Sequence, residues 1–424
     1  MSRPTLGTAV AVTLIGIYYS AFELRRSPVL SADSYTYSRW ADQLLASHFN
    51  YIAWSRGIDF VVPPLTYAGW VTVVALDKLV LGPGWAQGIR VLNLVLATAV
   101  ALMVLRLVQS VTSSLVVMAA ATAAFLLGFE IFLWIPYALS DVSFTFLSTT
   151  VIVLICSSAE PDRPRSVLRI SVALLVSVLA LLYRPAALPL LVLAIIGAVA
   201  RPHLYLADGA LRARLARWAA TALVLLVALA VVVDAALMFN PGLWPVPFFS
   251  TWIHELSQEY HQGMVVYGRP ETFHRPPVGV QDYVWLNLDR LRSFFVFTSQ
   301  SFSRPHEFAN IGFFVPVYAG WLGALWSMMR SRTAADWRLW WATAIGTLFV
   351  VFFAVFHSLQ QIDFDWRYRL PCLPILILLG AIGWHQLFHE YGVRIQSWFS
   401  HTAKWIRRPV EPAPGRASGP ASTA

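Results

Sequence analysis

The sequence predicts an all-α polytopic membrane protein with about ten transmembrane helices and external interfacial helices. Three observations carry that expectation. Of 424 residues, 58% are hydrophobic and only 12% are charged, against about 25% charged in an ordinary soluble domain. That leaves too little polar surface for the two or three soluble domains that the length would allow. Apolar runs of membrane length recur along the chain, and clusters of arginine separate them. The net charge of +9 is then explained first by the basic bias of cytoplasmic loops and not by nucleic acid. Glycine shows no period, and the two cysteines, Cys156 and Cys372, sit inside apolar runs. Collagen and disulfide scaffolds are thereby excluded, and two free buried thiols are expected.

A bilayer core of about 30 Å takes about 20 apolar residues of helix. Such runs fall at 5–22, 64–81, 88–108, 114–134, 141–157, 167–183, 185–200, 218–239, 308–328, 339–357 and 370–389. The first has little charge ahead of it and no small-residue cleavage site, so a retained helix is expected and not a signal peptide. Four basic groups belong in the cytoplasm: Arg163, Arg165 and Arg169; Arg201, Arg212, Arg214 and Arg217; Arg330, Arg332 and Arg338; and Arg394, Lys404, Arg407 and Arg408. They fall on one side together only if 64–81 does not cross. That run opens at Pro63–Pro64 and carries Asp77–Lys78, which suits a helix lying at the outer interface.

The expected organisation follows. Residues 1–22 form the first transmembrane helix, and 23–87 an external loop with interfacial helices. Residues 88–239 hold transmembrane helices 2–7, 240–307 a large external loop, and 308–390 transmembrane helices 8–10. Residues 391–424 form a cytoplasmic tail with a disordered end, rich in Pro, Ala, Gly and Ser from Pro409 onward. No internal repeat and no Asn-x-Ser/Thr sequon occurs.

Charges near membrane helices are costly, so those on the outer side mark candidate function. The first external loop opens Ser31-Ala32-Asp33-Ser34-Tyr35-Thr36-Tyr37. Ser31 or Asp33 would serve as a helix N-cap; alternatively, Asp33 is a general base held at the membrane face. Tyr137-Ala138-Leu139-Ser140-Asp141 places a second acid at the outer start of a crossing, with the same choice between cap and function. Tyr183-Arg184-Pro185 puts one arginine at an outer turn, either snorkelling or binding. Asp363-Phe364-Asp365-Trp366-Arg367-Tyr368-Arg369-Leu370-Pro371 reads as internal salt bridging or as a guanidinium clamp for a lipid-linked phosphate. His254-Glu255-Leu256-Ser257-Gln258 fails the HExxH zinc pattern at its last position, so His254 and Glu255 are read as substrate contacts or surface groups, and no metal ligand is assigned. No P-loop, GxGxxG or GxSxG motif appears.

Taken together, these residues resemble the GT-C glycosyltransferases. The likeness rests on Asp33 early in the first external loop, Pro63-Pro64-Leu65, Gly88-Ile89-Arg90-Val91-Leu92-Asn93, Ser140-Asp141, Tyr183-Arg184-Pro185 and Arg367-Tyr368-Arg369-Leu370-Pro371. It spans about residues 1–390 and is nearest the branch of aminoarabinose transferases and protein O-mannosyltransferases. The resemblance implies transfer, with inversion, of a hexose or pentose from a polyprenyl phosphate on the extracytoplasmic face of the cell's inner membrane, in cell-envelope glycosylation. It implies that Asp33 deprotonates or orients the acceptor and that Asp141 is the second catalytic acid. Arg184, Arg367 and Arg369 would lie at the donor phosphate. Tyr35, Tyr37, Tyr137, His254 and Glu255 would contact acceptor or donor. The acceptor stays open between glycan, lipid and protein; a divalent cation stays open as an auxiliary group. Val62 stands where the aminoarabinose branch has lysine, so that phosphate contact must come from elsewhere or the donor differs. A soluble domain after the last crossing is not expected.

Two other readings compete. An O-antigen ligase or polymerase would use the late loop, with Arg269, His274, Arg275, Arg290 and Arg292. A flippase or transporter would show repeat symmetry and midplane charges; no repeat is present, and apart from Asp234 the acids lie near span ends. An inactive scaffold would leave the outer polar clusters without a purpose.

Overall fold

In a membrane a backbone polar group has no water to bond, so spanning segments must satisfy their own donors and acceptors. The computed structural model describes residues 6–23, 25–56, 67–112, 114–158, 163–206, 221, 228, 231–232, 263–265, 272–299, 302–330, 337–359 and 367–406. Among them there are helices and two isolated bridges but no strand. The chain is an all-α integral membrane protein. Among the described residues, six helical stretches are long and apolar enough to cross a membrane: Leu6–Glu23, Ala68–Val111, Pro164–Leu181, Arg304–Arg330, Trp337–Ser358 and Arg367–His389. Three shorter apolar helices, Leu115–Leu127, Asp141–Ser157 and Pro185–Ala200, accompany them. The expected crossing at 218–239 lies outside the described residues, save for a few isolated positions.

After α1 (Leu6–Glu23), the helix α2 (Ala32–Ala46) begins at a capping box in which the Ser31 hydroxyl accepts from the Ser34 N–H and the Ser34 side chain bonds back to the Ser31 N–H. The short α3 (Tyr51–Arg56) follows, then α4 (Ala68–Leu81). Fourteen residues make about 21 Å of helix, less than a bilayer core. Gly82, with φ of 56°, opens a Gly-Pro-Gly turn that L-residues with side chains adopt poorly. That turn feeds α5 (Trp85–Val111).

The apolar run at 114–134 is not one helix. It divides at Gly128 into α6 (Leu115–Leu127) and α7 (Phe129–Leu133). Gly128 sits too close to Ile131, to the Ala124 carbonyl and to the Phe313 ring for a longer residue to fit easily, and the break turns Glu130 inward, where it is buried. Then come α8 (Asp141–Ser157), α9 (Arg163–Leu181), α10 (Leu188–Leu206), α11 (Val280–Phe295), α12 (Arg304–Arg330) and α13 (Trp337–Ser358). A 3₁₀ segment, Arg367–Cys372, leads into α14 (Leu373–Ile406). That last helix runs on through 391–406, where the sequence suggested tail; the segment from 407 lies outside the described residues.

Because lipid is as apolar as leucine, helices here associate by close packing and by buried polar bonds. α12 and α14 meet through glycine: a Cβ built on Gly383 would lie 1.7 Å from the Gly320 carbonyl oxygen. Tyr19 donates to the Phe125 carbonyl at 3.0 Å, and the Trp341 indole to that of Ile155 at 3.1 Å. Leu14 and Ile17 on α1, Leu175 and Val178 on α9, and Leu322 and Trp326 on α12 are exposed, as a lipid-facing belt requires. Cys156 and Cys372 are free and buried, as expected.

Candidate functional site

Backbone bonds between distant loops create the site. The segment before α2 lies beside the loop before α8. The Val29 N–H donates to the Pro136 carbonyl at 2.8 Å, and the Ala138 N–H donates to Val29 at 3.1 Å. Asn93 on α5, itself buried, donates to the carbonyls of Ile135 and Tyr137 at 3.2 and 2.9 Å. These bonds bring the starts of α2 and α8 together, and with them Asp33 and Asp141. Lys78 secures α2 on α4 through Asp42 at 2.7 Å and the Ser38 carbonyl at 3.0 Å.

Arg184 arrives from a third direction. A residue before proline is driven toward extended backbone, and Arg184 has φ −159° and ψ 140°. The turn that carries it is pinned to α4 by the Gly69 N–H, which donates to the Leu182 carbonyl at 2.8 Å. A side chain at Gly69 would run into the Tyr183 ring at 2.8 Å. Arg367 comes from the 3₁₀ segment before α14.

Two ion pairs result. The Arg184 Nη1 meets the Asp141 Oδ1 at 2.6 Å, and the Arg367 Nη1 meets the Asp33 Oδ2 at 2.8 Å. The first is sealed, with side-chain exposures of 9% and 2%; the second is open, with Asp33 43% exposed. The same aromatic ring carries both cations: the guanidinium carbons of Arg184 and Arg367 lie 5.5 and 5.3 Å from the centroid of Tyr368, within cation–π reach. Asp141 leaves its Oδ2 buried without a hydrogen-bond partner, as does the neighbouring Ser140 hydroxyl. Tyr37, Tyr67, Trp40 and Trp70 form one aromatic wall, the Tyr37 and Tyr67 rings lying 5.7 Å apart. Burial, reinforced by the Tyr67 phenol, pushes the Tyr37 phenol well above its usual range, and burial pushes Tyr67 up to about 12. Both therefore remain neutral hydroxyls at physiological pH. Among the described residues, no three His, Cys, Asp or Glu side chains converge as metal ligands would.

No model of a known protein family matches the chain, and no curated protein matches it. Among solved structures, it is similar to ArnT from Cupriavidus metallidurans bound to undecaprenyl phosphate. That match has a TM-score of 0.48 and 16% identity, and covers 89% of this chain and 59% of the other. The apo form of the same protein matches with a TM-score of 0.46 and 16% identity, over 92% and 61%. The chain thus spans about three fifths of the length of these structures.

The expected phosphate clamp of Arg367 and Arg369 is divided. Residues of a 3₁₀ segment advance about 120° each, so positions two apart point to different sides. Arg369 is buried and grips Glu130 with two bonds, from Nε to Oε2 at 2.7 Å and from Nη2 to Oε1. Its Nη1 donates to the carbonyls of Val296 and Phe294, and its guanidinium covers the Phe314 ring at 4.4 Å. Arg184, and not Arg369, shares the Tyr368 ring with Arg367.

The other candidates scatter. Tyr37 joins the site, whereas Tyr35 is on the exposed side of α2. Tyr137 packs on Trp134 with centroids 5.0 Å apart and serves the loop through its carbonyl. His254 and Glu255, like Val62, Asp363 and Asp365, lie outside the described residues. The rival's His274 and Arg275 are exposed and sit in surface pairs with Asp289 at 3.4 Å and Asp282 at 2.8 Å. Neither acid of the site caps its helix: Ser31 caps α2, leaving Asp33 in the first turn, and Ser140 is the cap residue of α8. Sequence reading gave no role to Tyr67, Tyr368 or Glu130. A visible signal existed for Glu130, an acid near the end of an apolar run.

Proposed function

We propose that the protein is a GT-C-like membrane glycosyltransferase that moves a sugar from a polyprenyl phosphate to an acceptor hydroxyl at the extracytoplasmic face. The observation that carries this reading is the pair of guanidiniums on the Tyr368 ring, each held by its own carboxylate at the meeting point of four outer segments. Two arginines gathered over one ring suit a phosphate, which they grip through charge-assisted hydrogen bonds. A phosphate entering there offers Arg367 a stronger anion than the half-exposed Asp33, so Asp33 is released as phosphate binds. Asp33 then takes the proton of the acceptor hydroxyl as its oxygen bonds to the anomeric carbon. The bond from that carbon to the phosphate oxygen breaks, its electron pair stays on the lipid phosphate, and Arg184 and Arg367 stabilise the growing charge. Attack opposite the leaving group inverts the anomeric carbon. Asp141 keeps Arg184 in place. Tyr37 and Tyr67 wall the space between α2 and α4 as neutral hydrogen-bond donors. The donor is thus a polyprenyl-phosphate sugar; the sugar and the glycan, lipid or protein acceptor are left to the assay. The outer placement follows the arginine pattern of the loops, with the site on the outer side of the inner membrane.

The test uses the full chain in proteoliposomes given a labelled undecaprenyl-phosphate sugar and envelope lipid, glycan and protein fractions. Transfer by the wild type and its loss in a folded Asp33→Asn protein is the expected result. A folded wild type that neither binds undecaprenyl phosphate nor transfers the label would overturn the reading, and so would full turnover by Asp33→Asn.

A further inference from the structure

His357, at the outer end of α13, lies one layer behind the site. Its ring is parallel to that of Tyr368, with centroids 4.8 Å apart and 10° between the planes. It is also nearly parallel to Phe294 of α11, at 6.2 Å and 14°. Phe353 and Phe356 meet it edge-on at 4.6 and 5.4 Å. The imidazole is 3% exposed, and neither nitrogen has a hydrogen-bond partner. Leaving buried polar atoms unpaired is expensive, so hydrogen bonding is not what holds this ring here. What it offers is a thin flat face, set in a cage of phenyl rings, against the back of the platform that carries Arg184 and Arg367.

We propose that His357 is a positioning residue for phosphate recognition: through stacking it fixes the Tyr368 ring, and through that ring the two guanidiniums. This rests on the reading of the site as a lipid-phosphate pocket. Tyr368 is half-buried and flanked by two cations, so an unsupported ring would follow whichever guanidinium moved first. Stacked on His357, it is held by α13 and keeps both arginines on a common base. The adjacent Phe294 extends the same support to α11, whose last turn also accepts a bond from Arg369.

Binding of undecaprenyl phosphate to the purified full chain tests this apart from turnover. His357→Leu keeps the volume and removes the flat face; His357→Phe keeps a flat face and removes the nitrogens. An aromatic contact of this kind corresponds to about a 3- to 10-fold loss of affinity in His357→Leu, with His357→Phe close to wild type. In a Tyr368→Leu background, His357→Leu should have no further effect, because its route to the phosphate is already gone. If His357→Leu does not fold, His357→Met fills the space without a flat face and takes its place. Unchanged binding in His357→Leu would overturn the inference while leaving the site reading intact. So would an equal loss in a stably folded His357→Phe, or additive losses in the double variant. Absence of binding by the wild type would instead strike at the site reading itself.

Discussion

Arg367 and Arg369 stand two residues apart in one short segment and have opposite fates. Arg367 lies on the Tyr368 ring against a half-exposed carboxylate; Arg369 is sealed in the interior with Glu130, two backbone carbonyls and a phenyl face. The contrast teaches that a cation near a membrane is available for a ligand only where its resident partner is easily displaced or, as at Arg184, which bonds Asp141 through Nη1 alone, leaves other donors unengaged. An exposed pair is worth about 0–1 kcal/mol and yields readily to a phosphate. A buried, bidentate pair does not, because separating it leaves a charge in a medium of low dielectric.

Breaking the buried pair should produce the largest effect. Arg369→Met strands Glu130 and is expected to cost about 3–5 kcal/mol, read as a lower unfolding temperature or lost yield in detergent. Adding Glu130→Leu should recover most of that loss. A single variant as stable as the wild type would mean the buried pair is not a structural joint. Next in size is Asp33→Asn, which should keep its unfolding temperature and lose about 10²–10⁴-fold in transfer rate, as removal of a positioned base does. Arg367→Ala comes third: charge-assisted bonds of this type are worth about 1.5–3 kcal/mol, so undecaprenyl phosphate should bind about 10- to 100-fold more weakly to a normally folded protein. Equal binding would move the phosphate away from Arg367.

The smallest effect belongs far from the site. The Arg275 side chain and the Val278 N–H, in that order, hold the Asp282 carboxyl below its usual range. A lowered acid pKa adds stability above the unfolded value and loses it as pH falls through the folded one. Arg275→Gln should therefore differ from the wild type slightly above about pH 4 and not at all well below it, as acid unfolding curves would reveal.

The helical class and the buried thiols were legible because apolar length and flanking charge act locally. So was the neighbourhood of Asp33, Asp141, Arg184 and Arg367, through short motifs at helix starts. The split between Arg367 and Arg369 was not, since nothing in Arg-Tyr-Arg states that the segment is helical and not extended, where positions two apart would share a face. The break at Gly128 was hidden because a glycine in an apolar run is tolerated in many helices, and the close approach of Ile131, the Ala124 carbonyl and Phe313 appears only in the folded chain. Tyr368 stood inside the motif, but a ring becomes a platform only when arginines from two distant turns arrive on it.

The bridge between Val29 and Tyr137 has a wider consequence. Main-chain atoms sew the two loops together, and main-chain atoms are common to nearly every amino acid. The separation of the two acids is therefore written in a part of the molecule that substitution seldom edits. Side chains around it are free to change, while the gauge between Asp33 and Asp141 stays constant; a proline at position 29 or 138, which would lack the donor, or the loss of Asn93 would let it slip.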